Sequence, residues 1–296
     1  MEDSICAVII SYNAAEELVE CINSVFPQVN RIIIIDNNSE FSTIDINAKI
    51  DKINKIQIIY NDNNMGVGYA FNQGIEFSIS NGYKWTLLLD QDSVLDENMV
   101  QQMLASYKRL EGGDKVKTAL LVPRIIEKNF DVELPAIITS RMFNRKLYNP
   151  SHDTFIHFQI TSGSLLDNEK VTSVGLLNER LFIDYIDFEY CFRILDHNYK
   201  IMQCKSAYLY HSLGESRKKY FLKYREHSPL RVYYQTRNRL YIIYKYGSKY
   251  TSVRNSEIVR MLLKLPRIMF LESNKIQKIR FYFSGILDFA RNYKSL

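Results

Sequence analysis

Asp90-Gln91-Asp92 sets two carboxylates one residue apart, directly after the apolar run KWTLLLD at 84–90. Two such groups can converge on one divalent cation; hard cations prefer oxygen ligands and often complete their shell with phosphate oxygens. The competing reading is an ordinary turn into a helix capped by Ser93 or Asp96. The segment FIDYIDFE at 182–189 carries three more acids, Asp184, Asp187 and Glu189, in an otherwise apolar stretch. Acids inside so apolar a stretch suggest that they serve a function. The alternative is that acids favour the first turn of a helix because of its dipole. In NNMGVGYAFNQG, residues 63–74, small residues recur where a helix begins. They would let backbone N–H groups approach a diphosphate. Phe71 stands where a dinucleotide fingerprint has its third glycine, and tight helix–sheet packing explains the glycines equally well.

Positioning these groups requires a scaffold, and the first half of the chain supplies one. Apolar runs at 5–11, 31–36, 56–60, 84–90 and 118–122 read as strands. Segments 14–25, 69–80 and 97–110 have helical spacing. Strands without polar alternation, each followed by a helix, predict a mostly parallel α/β sheet covered on both faces. Ligands bind such sheets beyond the carboxyl ends of the strands. The polar groups Ser11-Tyr12-Asn13, Asp36-Asn37-Asn38-Ser39, 61–64 and Asp90-Gln91-Asp92 all fall there. Pro123, Pro135 and Pro150 punctuate short β-like runs, so 123–166 reads as an antiparallel excursion over the sheet. Residues 186–197 read as helical, 207–210 as a strand leading to His211, and 229–296 as a basic helical extension that Pro266 kinks or breaks. The catalytic body is accordingly assigned to 1–228.

With 296 residues, 46% of them hydrophobic, the chain can bury a sizeable core. Cys6, Cys21, Cys191 and Cys204 lack CxxC spacing, which argues against a zinc cluster or a disulfide framework and fits a reducing compartment. Acidic residues precede the first apolar run, so it does not read as a signal peptide, and no uncharged stretch is long enough to span a membrane. Net charge is +5, but residues 201–296 hold 20 Lys/Arg against 5 Asp/Glu. Twelve of the 21 tyrosines also lie after residue 200. A basic, aromatic tail on an acidic body should face something anionic. In 255–273, Ile258, Leu262, Leu265 and Met269 share one helical face, with Arg260, Lys264 and Arg267 among them. Either that face packs on the catalytic body, or the helix lies on an anionic membrane.

The pieces VIISYNA, IIIIDNNS, NNMGVGYAFNQG, LLLDQDS, ITSGSLL, FIDYIDFEYCFR and YHSLGE occur in one order. Together they resemble the inverting family 2 glycosyltransferases with the GT-A fold, with DQDS and FIDYIDFEYCFR nearest the bacterial rhamnosyltransferase branch. The resemblance spans roughly residues 5–240. It implies that Asp36, with Ser11, Asn13 and Asn38 nearby, holds the base or ribose of a donor nucleotide. Asn64, Gly66 and Asn72 would line the diphospho-sugar pocket, with Gln91 on the same donor side. Asp90 and Asp92 become a DxD motif, Asp92 ligating Mg²⁺ or Mn²⁺ directly and Asp90 bridging ribose and metal. His211 would complete the metal site or touch the diphosphate; as a lone histidine it could equally sit in the core or at the surface. Counting back from Arg193 makes Asp187 the general base, with Asp184 as the alternative; many relatives have Glu-Asp where this chain has Ile186-Asp187. Ser162 and Gly163 match an acceptor-side loop, and Arg237-Asn238 serves diphosphate contact or helix packing. The implied reaction moves L-rhamnose from dTDP-L-rhamnose to a hydroxyl of a lipid-linked glycan in surface polysaccharide synthesis, at the cytoplasmic face of the cell membrane. A UDP-hexose or galactofuranose donor is the alternative. A nucleotidyltransferase would want a basic glycine-rich loop where VIISYNAAEE is acidic. A nucleic-acid-binding module would leave the acidic lip of the sheet unexplained, so no nucleic-acid partner is expected.

Overall fold

A computed structural model describes residues 3–14, 16–40, 53–212, 216–219 and 222–296. Residue 15, in the first helical segment, and 213–215, in the YHSLGE motif, lie outside the described residues. Strands β1 (Ile5–Ser11), β2 (Arg31–Asp36), β3 (Ile56–Tyr60) and β4 (Trp85–Asp90) form a parallel block in the order β3-β2-β1-β4. Helices α1 (Glu16–Val25), α2 (Val67–Ser80) and α3 (Met99–Lys108) accompany them. Alternate residues of each strand point to opposite faces. Thus Ile9, Ile32, Ile34, Leu87 and Leu89 pack with Leu18 and Ile22 of α1 and Met99 and Met103 of α3. Val8, Ile33, Ile35 and Leu88 meet Phe71 and Ile75 of α2 on the other side. The register Ser11↔Asp36 and Ile10↔Asp90 brings the ends of β1, β2 and β4 to one lip.

Further along come the two-residue β5 (Val94–Leu95), α4 (Gly112–Lys117), β6 (Thr118–Glu127) and β7 (Val132–Leu134). A hairpin of β8 (Ala136–Ile138) and β9 (Arg145–Leu147) follows, then β10 (Thr154–Ile156), β11 (Ser164–Asp167), α5 (Asn168–Val174), α6 (Ile186–Asp196) and β12 (Lys200–His211). The sheet is mixed: β11 runs antiparallel between β4 and β6, while β12 runs parallel to β6. The segment 123–166 therefore does not merely pass over the sheet; β11 lies within it and β10 edges it. Pro123 does not end a strand either. The register of β12 against β6 shifts between Gln203 and Tyr208, opposite Pro123, so the N–H that proline lacks falls at an irregularity. All four cysteines are buried and free.

After the short hairpin β13 (Ser216–Lys219) and β14 (Leu222–Arg225), three helices close the chain: α7 (Pro229–Tyr246), α8 (Thr251–Phe270) and α9 (Lys275–Asn292). Helix α7 places Tyr241, Ile242 and Tyr246 in the same core as Phe188 and Phe192 of α6. Helix α8 continues through Pro266 without a break. Pro266 lies on its exposed side, as does Leu262, whose carbonyl the proline leaves without a donor. No described helix is long and apolar enough to cross a membrane.

Candidate active site

Three strand ends converge at the lip. Beyond β4, the Ser93 N–H closes a turn onto the Asp90 carbonyl at 3.1 Å, which holds Asp90 and Asp92 side by side. His211 ends β12 and reaches them: Nδ1 is 3.1 Å from Asp92 Oδ1 and Nε2 is 3.7 Å from Asp90 Oδ2. One ligand atom from each of the three lies within 4.8 Å of the others, the one such grouping among the described residues. Burial, and then the charge of Asp92, hold the Asp90 carboxyl above the usual carboxylate range, against the pull of His211 and Arg231. Burial disfavours a charged His211, yet its hydrogen bond to Asp92 and the charges of both aspartates raise it above the ordinary histidine value. Crowded carboxylates beside an imidazole suit a divalent cation, whose charge would offset theirs. Neither Ser93 nor Asp96 caps a helix, since α3 begins at Met99 with Asn98 before it.

Ser162 and Gly163 lie beneath this turn, both buried. The Ser162 hydroxyl accepts from the Asp90 N–H at 3.2 Å and meets Ser93 Oγ at 2.5 Å. Gly163 donates to the Leu88 carbonyl at 2.8 Å. Its φ is +81°, and an added Cβ would come within 2.7 Å of Pro123. In the structure, then, this pair braces the acidic turn.

Asp184 and Asp187, two of the three acids of 182–189, face the same cluster. Phe182, Asp184 and Tyr185 all adopt φ between +61° and +67°, a conformation costly for side-chain-bearing residues. The strain turns the chain sharply into α6, so that Asp184 precedes the helix and Asp187 sits in its first turn. Burial, with the charges of Asp184 and Asp90, pushes Asp187 up to about 7, against a 2.8 Å hydrogen bond from the Phe188 N–H. Asp184 is engaged: Arg231 Nε and Nη2 donate to its two oxygens at 2.9 and 3.0 Å. Burial weakens the Arg231 charge, but Asp184, Asp90 and Asp187 together hold it above the ordinary arginine value. Glu189 is turned away and fully buried, paired with Arg193 and Lys245.

The pieces expected on the donor side divide into two groups. At the ends of β1 and β2, Ser11 Oγ and Asp36 Oδ2 are buried without a hydrogen-bond partner, while Asp36 Oδ1 accepts from Ser39. Buried polar atoms without partners are rare in folded proteins and suit a ligand's donors. Asn13 and Asn38 take left-handed conformations at the same rim, and Gln91 accepts from the Tyr12 N–H at 2.8 Å, tying β1 to the acidic turn. The other group is occupied within the protein. Asn64 Oδ1 accepts from Asn37 and from the Gly66 N–H. Asn72 bonds the Leu177 backbone and Glu179. A Cβ at Gly66 would lie 2.6 Å from the Phe182 carbonyl, so this glycine lets α2 abut the strained segment. Gly66 and Asn72 are thus closely packed against the segment 177–182. Arg237 likewise donates to the carbonyls of Arg180 and Leu181 and lies against Tyr233 and Tyr234.

The domain model of glycosyl transferase family 2 matches residues 6–172, more than half of the chain. The chain belongs to glycosyl transferase family 2. It is an enzyme of GT-A fold whose acidic cluster suits a divalent cation. It is 27% identical over 297 residues to the dTDP-rhamnosyl transferase RfbF of Shigella flexneri, covering 98% of this chain and 97% of that one. It is 28% identical over 118 residues to the glycosyltransferase GlyG of Streptococcus pneumoniae, covering 38% of this chain and 37% of the other. Among solved structures, S. aureus TarS 1-349 in complex with UDP-GlcNAc superposes with a TM-score of 0.62 at 12% identity, over 97% of this chain and 81% of that one. GalNAc-T7 with UDP, GalNAc and Mn2+ gives 0.62 at 12% identity, over 99% of this chain and 57% of that one.

The family's motifs did not point to Arg231. A cation in the first turn of α7, just after the Ser228 cap and Pro229, opposes the helix dipole, and that misfit was the available signal. Asn238, which the resemblance offers for diphosphate contact or helix packing, takes a different part. Its amide donates to the carbonyls of Leu181, Ile183 and Asp184 at 2.8, 2.9 and 3.0 Å, clamping the strained loop from α7. Asn238→Ala leaves buried carbonyls without a donor, a cost of about 1–3 kcal/mol. It is expected to lower the thermal midpoint by several degrees and kcat more than nucleotide affinity; thermal unfolding and steady-state kinetics check both.

Proposed function

We propose that this chain is an inverting glycosyltransferase that moves a hexose from a nucleoside-diphosphate donor to a hydroxyl of a glycan, in the making of surface polysaccharide. One observation carries the reading: Asp90, Asp92 and His211 converge at the lip of the sheet, and Asp187, pushed up to about 7, feels the charge of Asp90. In this reading Asp92, Asp90 and His211 hold Mg²⁺ or Mn²⁺, and the cation, when bound, supplies Lewis acidity toward the leaving diphosphate. Ser11 and Asp36 offer their unpartnered oxygens to the nucleoside, and Asn13, Asn38 and Gln91 shape the rim around it. Asp187 takes the proton of the acceptor hydroxyl. Arg231 holds Asp184, keeping its carboxylate from competing for that proton. The catalytic body spans 1–228, and the extension 229–296 supplies Arg231 and the Asn238 clamp.

For the donor, UDP-hexoses, galactofuranose included, come first, supported by the UDP-bound structures of this fold. The second reading is dTDP-L-rhamnose, favoured by the full-length similarity to RfbF. The acceptor is a lipid-linked glycan met at the inner face of the cell membrane, which gives the basic extension a purpose. Calorimetry with Mn²⁺ separates the donors. UDP is expected to bind more tightly than dTDP, and Asp36→Ala to weaken whichever binds by about tenfold, the worth of one charged hydrogen bond. Tighter dTDP binding moves the assignment to rhamnose, and binding of neither nucleotide overturns it.

A further inference from the structure

Helix α8 exposes an apolar face. Its inner face buries Val253 and Ile268 but also carries charge. Glu257, fully buried, bonds Arg239 at 3.0 Å and the Tyr185 hydroxyl at 2.6 Å. Lys264, 7% exposed, pairs with Glu272, which also pairs with Lys278. Its outer face is apolar: Ile258, Val259, Leu262 and Leu263 are all exposed, Leu262 to 69% and Leu263 to 62%. A helix folded against water does the reverse. The neighbouring hairpin extends the pattern. Between β8 and β9 the tip presents exposed Met142 and Phe143, and the Asn255 amide donates to the Met142 carbonyl at 2.9 Å. Asn255 lies three and four residues before Ile258 and Val259, so the tip adjoins the start of the apolar stripe.

The charges around this platform have one sign. Arg141, Arg145 and Lys146 on the hairpin and Arg254 and Arg260 on α8 are exposed, Arg260 also reaching back to Glu257 at 2.7 Å. Segments 136–151 and 251–271 contain one carboxylate, Glu257, and it is buried. We propose that the hairpin tip and the outer face of α8 form one docking surface for an anionic lipid bilayer, with the apolar side chains entering the interface and the arginines and lysines meeting headgroup phosphates. A second copy fits poorly, because a two-fold contact would set basic rim against basic rim. The proposal deepens the membrane-facing part of the reading above and is independent of the donor. It also ties the membrane to the reaction centre, since Glu257 holds Tyr185, the residue that opens α6.

The test is sedimentation of the full chain with vesicles of phosphatidylcholine alone or mixed with phosphatidylglycerol, at low and high salt. Binding is expected only to the mixed vesicles, with high salt reducing it in part. Leu262→Glu/Leu263→Glu should lower the partition coefficient by about 100-fold, the effect of withdrawing two leucines from an apolar phase. Met142→Glu/Phe143→Glu, on a separate element, should lower it by at least about tenfold. Both variants should keep the parent's circular dichroism and nucleotide binding, so a loss of vesicle binding is distinguishable from a failure of the enzymatic reading. Equal binding to neutral vesicles, or variants that bind like the parent, overturns the proposal. So does a solution dimer that Leu262→Glu/Leu263→Glu dissolves while the parent ignores vesicles.

Discussion

Asp187→Asn is expected to cut turnover by about 10²–10⁴-fold while leaving nucleotide affinity within a few-fold. A sugar hydroxyl is a poor nucleophile at neutral pH, and its proton must leave as the new bond forms. Asparagine keeps the size of the side chain and removes the basic oxygen. Asp184 makes the informative control, because both of its oxygens already accept from Arg231. Asp184→Asn should therefore be milder on the chemical step. The pH dependence has a definite sign. Burial and the charges of Asp184 and Asp90 push Asp187 up to about 7, so the base is protonated and idle below that value and the rate rises through it. A cation held by Asp90 offsets one of those charges and moves the limb lower; a limb well above pH 7 contradicts the assignment. Because folding favours the protonated form, ionising Asp187 above pH 7 costs stability that asparagine does not carry, so the variant should melt no earlier than the parent there. Near-normal turnover in Asp187→Asn with a large loss in Asp184→Asn would move the base one helical turn back. Activity in both would make the acidic segment structural.

Much of the scaffold was readable because strands buried on both faces print as unbroken apolar runs. VIIS, RIIIID and WTLLLD each ended at the lip that the structure shows. The central position of β11 was not readable: SLLD is four residues long, and its partners β4 and β6 are fixed by topology rather than by local pattern. The carboxylates, His211 and Asp187 could be named because their chemistry is in the side chain. The packing of Gly66 and Asn72 could not, because Phe182, Leu177 and Glu179 are over a hundred residues away in the chain. The same limit governed α8. Its helical spacing was plain, and the apolar stripe offered a choice between packing inward and facing out. The structure leaves Ile258, Leu262 and Met269 exposed and packs Leu265 inward, while Arg239 and Glu272 provide partners for Glu257 and Lys264 on the opposite side. Of the two residues that lock the acidic loop, Asn238 belongs to a motif that does not reveal this role, and Arg231 belongs to none.

Asp92→Asn is expected to lower kcat/KM by about 10²–10³-fold, since a metal's stabilisation of a leaving diphosphate is worth several kcal/mol and each 1.4 kcal/mol is tenfold. The loss should be visible before any reaction. Titrating Mn²⁺ into the metal- and substrate-free protein should show one site in the parent and a far weaker one in Asp92→Asn, because the substitution replaces a full charge with a neutral amide. His211→Ala removes the one nitrogen donor and should weaken Mn²⁺ more than Mg²⁺, since imidazole suits transition metals and magnesium prefers oxygen. Acid should act in the same direction on the whole cluster. The Asp90 carboxyl is held above the usual range, and His211 holds its proton more tightly than an ordinary histidine, so falling pH protonates both and competes with the cation. Neither change should unfold the protein, because Asp90 and Asp92 lie partly exposed at the lip while the core beneath is apolar. Full activity in excess chelator, or unchanged Mn²⁺ affinity in Asp92→Asn, would remove the cation from this site and leave Asp90, Asp92 and His211 as a hydrogen-bonded brace for the donor.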